Sequence, residues 1–145
     1  MSSGSMTITN GKLVTPFHVT EGTLVIEQGI ITYVGPLAHA PQGVAPVLDA
    51  QGAYVTPGLI DIHVHGGGGG DAMDGTLTAL EQMGQTFARY GTTAFLPTTV
   101  TASHREILKT VDSVKQAVSQ GTGGAQVLGL HLEGPYINTA KKGAQ

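Results

Sequence analysis

The chain has 145 residues, 40% of them apolar and 12% charged, which allows about one domain with a buried core and argues against a membrane protein. Ten acidic against seven basic residues leave a net charge of -3, excluding the basic footprint of a nucleic-acid binder or of a protein that docks on anionic membranes. There is no cysteine, so disulfides and thiolate ligands are excluded and any metal must be held by His, Asp or Glu.

In chain order, the opening Met-Ser-Ser-Gly-Ser-Met has neither a basic start nor an apolar core. It reads as an expression scar over residues 1–5 rather than a signal peptide, and with no membrane-length apolar run the expected location is the cytoplasm. Short strands are predicted at Met6 to Thr9 and Lys12 to Val14, joined by Asn10-Gly11, the dipeptide of a two-residue hairpin. A second hairpin runs from Gly22 to Glu27, turns at Gln28-Gly29 and returns over Ile30 to Val34 until Gly35-Pro36 stops it. Another strand is expected at Val47 to Ala50. These segments form a small antiparallel unit with too little apolar surface to close a core of its own.

From Pro57 the pattern changes. Strand Leu59 to His65 precedes a helix over Thr78 to Tyr90, whose apolar residues Leu80, Met83, Phe87 and Tyr90 recur at helical spacing, with Thr78 and Glu81 as a capping box and Gly91 as its stop. Strand Thr93 to Thr99 follows. Ser103 and Glu106 then cap a second helix with a face of Ile107, Val111, Val114 and Val118, ended by Gly121. The last strand, Val127 to Leu132, is almost continuously apolar, as both-sided burial in a parallel sheet requires. Strand starts at 59, 93 and 127 repeat every 34 residues, a βαβαβ series that fits a doubly wound sheet or a β/α barrel. Gly66 to Gly70 reads either as a flexible linker or as bare backbone that approaches a ligand. The run is one residue too short for a Gly-x-Gly-x-x-Gly string, with His65 before it and Asp71 after it, and it follows a histidine-bearing strand about seven residues from the helix, so it is a weak dinucleotide match.

Functional groups in either architecture gather at the carboxyl ends of the strands. Asp61, His63 and His65 alternate along the first strand and therefore share one face, while Ile62 and Val64 pack behind. His131 and Glu133 share a face at the end of the third strand, and a carboxylate there with two histidines makes a ligand set for a divalent ion. Asp61 is either an acceptor that orients an imidazole or a cap on a neighbouring backbone amide. His131 contacts substrate, supports Glu133 or fills the interior. His18, His39 and His104 read as surface residues. Lys141 and Lys142 are a solvated basic pair, with contact to an anionic substrate group as the alternative.

Four segments carry a resemblance. Pro57-Gly58-Leu59-Ile60-Asp61-Ile62-His63-Val64-His65-Gly66 resembles the first barrel strand of the amidohydrolase superfamily. Gly91-Thr92-Thr93-Ala94-Phe95-Leu96-Pro97-Thr98 and Gly129-Leu130-His131-Leu132-Glu133-Gly134-Pro135-Tyr136, with Lys142-Gly143-Ala144-Gln145 behind, narrow this to a resemblance to the N-acetylglucosamine-6-phosphate deacetylases. The resemblance implies an α/β fold: part of a small β-sandwich domain over 6–56, then the first three βα units of a (β/α)8 TIM-type barrel over 57–145. It implies hydrolysis of the acetamide of N-acetylglucosamine 6-phosphate to glucosamine 6-phosphate and acetate. One or two divalent ions (zinc, iron, manganese or cobalt) would be held by Glu133, His63 and His65, and would activate water and polarise the amide carbonyl. Gln145, by resemblance, and His131 are the candidate substrate contacts. The general base is expected beyond Gln145, because three βα units cannot close a barrel, so the chain reads as an inactive piece of a homodimeric enzyme acting on a small sugar phosphate. Competing readings are an amidohydrolase for a cyclic amide or nucleobase, and a non-catalytic metal-binding module.

Overall fold

A computed structural model describes residues 4–145, so most of the expected scar at residues 1–5 lies outside the described residues. Contacts divide the chain into two units, one ending at Pro57 and one beginning at Gly58.

In the first unit β1 (Met6–Val14), β2 (Val19–Glu27), β3 (Ile30–Gly35), β4 (Val47–Asp49) and β5 (Tyr54–Val55) make one sheet. Its order is β3-β2-β1-β4, with β5 also paired to β1. The β2–β3 hairpin turns where expected, with Gln28 and Gly29 both at positive φ, as a tight primed turn needs. The Asn10-Gly11 hairpin is corrected: β1 runs straight through, and its register against β2 slips between Ile8 and Gly11 as a bulge. Pairing on the other side of β1 overrides the local turn signal. The Asn10 carbonyl accepts the Gly52 amide at 2.8 Å, its side-chain amide donates to Asp49 at 3.0 Å, and a Cβ on Gly11 would stand 2.7 Å from Val55 Cγ2. The all-antiparallel expectation is corrected too, since β4 and β5 run parallel to β1. Leu13 and Val25 are buried, whereas Ile30, Ile31, Val34, Val47 and Leu48 are exposed.

The second unit contains β6 (Leu59–Val64), the short pair β7 (Gly66–Gly67) and β8 (Gly70–Asp71), α1 (Leu77–Arg89), β9 (Thr92–Pro97), α2 (His104–Gln120) and β10 (Gln126–Val127). β6, β9 and β10 form a parallel sheet in the order β10-β9-β6. A bridge between Thr98 and His131 continues the β9 pairing past the end of β10. The core is Leu80 and Met83 of α1, Phe95 of β9, Val114 and Ala117 of α2, and Ala125 and Val127, with Phe87 edge-on to Phe95 at 5.0 Å.

Helix phases differ from expectation in two places. α1 is capped by Thr76, whose hydroxyl accepts the Ala79 amide at 3.2 Å, so the Thr78 capping box is not formed; Tyr90 falls past the helix end and is 80% exposed. α2 keeps its Ser103–Glu106 box but buries Ile107, Thr110, Ser113, Val114 and Ala117, leaving Val118 at the surface. The glycine run is no loose linker: β7 and β8 pair with each other, and a Cβ on Gly68 or Gly70 would overlap Thr86 or the Ala79 carbonyl of α1. Among the described residues no helix is long and apolar enough to cross a membrane.

Candidate metal centre

His63 and His65 sit at the carboxyl end of β6, and strand alternation sends both imidazoles to one side. Glu133 reaches the same place from the segment after β10, so that His63, His65 and Glu133 bring ligand atoms within 4.8 Å of one another. Glu133 Oε2 lies 3.2 Å from Nε2 of His63 and 3.2 Å from Nε2 of His65, and the two Nε2 atoms are 3.3 Å apart.

The proton positions follow from the partners. His65 Nδ1 is 3.1 Å from the Thr98 carbonyl oxygen, which can only accept, so Nδ1 carries the proton and Nε2 of the neutral ring presents a lone pair. Glu133 Oε2 is buried and has no hydrogen-bond donor aligned on it. The short distances would serve an ion pair if an imidazole were doubly protonated, or a hydrogen bond if His63 carried its proton on Nε2; with both Nε2 lone pairs turned inward, electron pairs converge with no positive charge between them. A shared cation removes that conflict. A tetrahedral ion with nitrogen ligands at about 2.0 to 2.1 Å spaces its ligand atoms about 3.3 Å apart, which the three observed separations match. The residues present therefore fit a divalent ion. Side-chain exposures of 47% for His63, 39% for His65 and 31% for Glu133 leave the centre open to solvent on one side.

The surrounding residues orient these three. Gln145 Nε2 donates to Glu133 Oε1 at 2.8 Å and Gln145 Oε1 accepts the Thr101 amide at 2.7 Å, so the second carboxylate oxygen is tied back and Oε2 faces the imidazoles. Asp61 accepts the backbone amide of His63 at 3.0 Å, the amide-capping alternative of its two readings. His131 Nδ1 bonds the Ile62 carbonyl at 2.8 Å, and its ring stands edge-on to His63 with centroids 4.6 Å apart. It flanks the cluster rather than joining it. His18, His39 and His104 are exposed, as are Lys141 and Lys142 in and beside a short 3-10 turn. The contribution of Thr98 and Thr101 through backbone groups had no signal in the sequence, since any residue carries an amide and a carbonyl.

The amidohydrolase family profile matches residues 54–145. The chain belongs to the amidohydrolase family. Over 88 residues this amidohydrolase chain is 48% identical to N-acetylglucosamine-6-phosphate deacetylase of Vibrio furnissii, covering 61% of this chain and 22% of that protein. Over 121 residues it is 38% identical to N-acetylgalactosamine-6-phosphate deacetylase of Escherichia coli, covering 83% of this chain and 30% of that protein. The crystal structure of N-acetylglucosamine-6-phosphate deacetylase from Pasteurella multocida matches with a TM-score of 0.88 at 31% identity, over 97% of this chain and 37% of that one. The amidohydrolase chain thus spans less than two fifths of the length of each of these proteins.

Proposed function

We propose that this amidohydrolase chain is the metal-binding part of a deacetylase that hydrolyses the acetamide of N-acetylglucosamine 6-phosphate to glucosamine 6-phosphate and acetate. The observation that carries the reading is the convergence of His63, His65 and Glu133 Oε2, on a chain whose relatives from Vibrio furnissii and Pasteurella multocida carry the deacetylase name. A divalent ion held there (zinc, iron, manganese or cobalt) would supply Lewis-acid polarisation of the amide carbonyl and an acidified water. His63, His65 and Glu133 would hold it. The Thr98 carbonyl keeps His65 in the ligating tautomer, and Gln145 holds Glu133 through Oε1. Gln145, bonded to Glu133, and His131, edge-on to His63, are the residues proposed to touch substrate. Asp61 supports the strand that carries both histidines.

The same reading makes β6, β9 and β10 the first three strands of a (β/α)8 barrel and the first unit part of a β-sandwich. It places the general base outside this chain, in a homodimeric cytoplasmic enzyme. The test is acetate release from N-acetylglucosamine 6-phosphate by the full-length protein, before and after chelation and metal return. Metal-dependent release is expected; hydrolysis of dihydroorotate without acetate release from the amino sugar would overturn the reading. A second substrate is raised by the Escherichia coli relative, which is named for N-acetylgalactosamine 6-phosphate and is 38% identical over 83% of this chain. N-acetylgalactosamine 6-phosphate therefore belongs in the same assay, and the ratio of kcat/KM values decides between the epimers.

A further inference from the structure

Thr98 and Thr99 follow the last residue of β9, between the segment that carries His63 and His65 and the segment that carries Glu133, and both are fully buried. A buried hydroxyl needs partners, and each of these finds them on a ligand-bearing segment. The Thr98 amide donates to the Val64 carbonyl at 2.8 Å. An uninterrupted parallel ladder would then send the Val64 amide to the Leu96 carbonyl. Instead the Thr98 hydroxyl stands between those two groups, accepting from Val64 at 2.9 Å and donating to Leu96 at 3.2 Å. Val64 is the residue between the two histidines. The Thr98 carbonyl, which a regular ladder would give to the next amide of the neighbouring strand, holds His65 Nδ1.

The other side repeats the device. His131 donates to the Pro97 carbonyl and accepts from the Thr99 amide, each at 3.0 Å, as a regular ladder requires. The next rung should take the Glu133 amide to the Thr99 carbonyl. It goes to the Thr99 hydroxyl at 3.0 Å, and that hydroxyl donates back to the Glu133 carbonyl at 3.3 Å. Two adjacent side chains thus replace one rung on each flank, at the residues that present the ligands.

We infer that Thr98 and Thr99 are positioning residues for the metal centre: their hydroxyls set where His63, His65 and Glu133 stand relative to one another, and so set its affinity and coordination geometry. The inference rests on the metal reading above. It assigns the threonines no contact with ion or substrate.

Cobalt(II) is the probe, titrated into the full chain and followed by its visible absorption, with a chelator competition for affinity and melting in chelator for stability. Thr98→Val and Thr99→Val keep the shape and remove the hydroxyl; each should weaken cobalt binding by roughly tenfold to a hundredfold, the range for residues that orient ligands, and alter the absorption bands. Thr98→Ser and Thr99→Ser keep the hydroxyl and should stay within about threefold of the parent with its spectrum. Valine variants with parental affinity and spectrum overturn the inference. So do serine variants that bind as weakly as the valine ones, because packing of the methyl group would then be the cause. If the valine variants do not fold, the serine variants decide, and an altered cobalt spectrum in them overturns the inference. A parent chain that binds no cobalt, or binds it unchanged after His63→Ala, overturns the metal reading itself.

Discussion

At the scale of single residues the centre depends on electron-pair donors that have no other occupation. Glu133 Oε2 is buried without a hydrogen-bond donor, and His65 Nε2 presents a lone pair toward Glu133 and His63 because Nδ1 is committed to the Thr98 carbonyl. His63→Ala and Glu133→Gln should therefore each weaken zinc binding by more than about a hundredfold, beyond what loss of an orienting contact does, as read by metal competition titration. Unchanged metal content in both variants would sink the site. This part was legible in the sequence, since strand alternation forces His63 and His65 to one face and the strand repeat brings Glu133 to the same end. The bonds of Asp61 and His131 were not, because each had alternatives that only the folded backbone separates: Asp61 takes an amide and His131 a carbonyl.

At the scale of elements, most of each helix face was read correctly and its end was not: Leu80, Met83, Ile107 and Val114 are buried and Phe87 packs on the core, whereas Tyr90 and Val118 are exposed. α2 turns Thr110 and Ser113 inward because both hydroxyls bond carbonyls of their own helix, at 3.3 Å to Glu106 and 2.8 Å to Thr110, and so pack as small apolar groups. A pattern built on valines alone misses that. The Ser103–Glu106 box was visible from spacing and has a pH signature. The Ser103 hydroxyl, and after it the Ser103 amide, hold the Glu106 carboxyl below the usual range for glutamate. A depressed folded-state pKa contributes stability above the unfolded pKa and loses it as pH falls through the folded one. The parent should melt above Glu106→Gln at neutral pH, and the gap should close on acidification through the carboxylate range; a constant gap in thermal melts would refute this. Gly70→Ala tests the glycine run. Its new methyl meets the Ala79 carbonyl, and the expected loss is about 1 to 3 kcal/mol in denaturant unfolding, as for other overpacked sites.

At the scale of the whole molecule, apolar strand residues outnumber the partners offered to them. Leu59, Ile60 and Ile62 of β6 are each more than 60% exposed, although parallel sheets are ordinarily covered on both faces. Ile30, Ile31 and Val34 in the first unit are exposed as well. Isolated, the 145-residue chain should bind an apolar dye and self-associate at micromolar concentration, and it should release no acetate from N-acetylglucosamine 6-phosphate. Dye fluorescence and light scattering measure the first two, and a monomer that leaves the dye dark would show that these faces are covered. The parallel sheet was readable from the 34-residue spacing because right-handed crossovers join its strands, but the order β10-β9-β6 was not, since a doubly wound sheet fits the same spacing. The path of β1 was not readable, since Asn10-Gly11 is a turn by local chemistry and a bulge only through Asp49, Gly52 and Val55, about forty residues away.

The threonine rungs join residues 34 apart, Val64 to Thr98 and Thr99 to Glu133, so the spacing seen in the sequence is also the spacing of bonds in the sheet. Both ligand-bearing segments are indexed to one dipeptide, and neither is indexed to α1 or α2. Extra residues in the connections at either helix therefore leave the centre in place, whereas one residue inserted between Phe95 and Thr98 displaces the hydroxyls from both flanks at once.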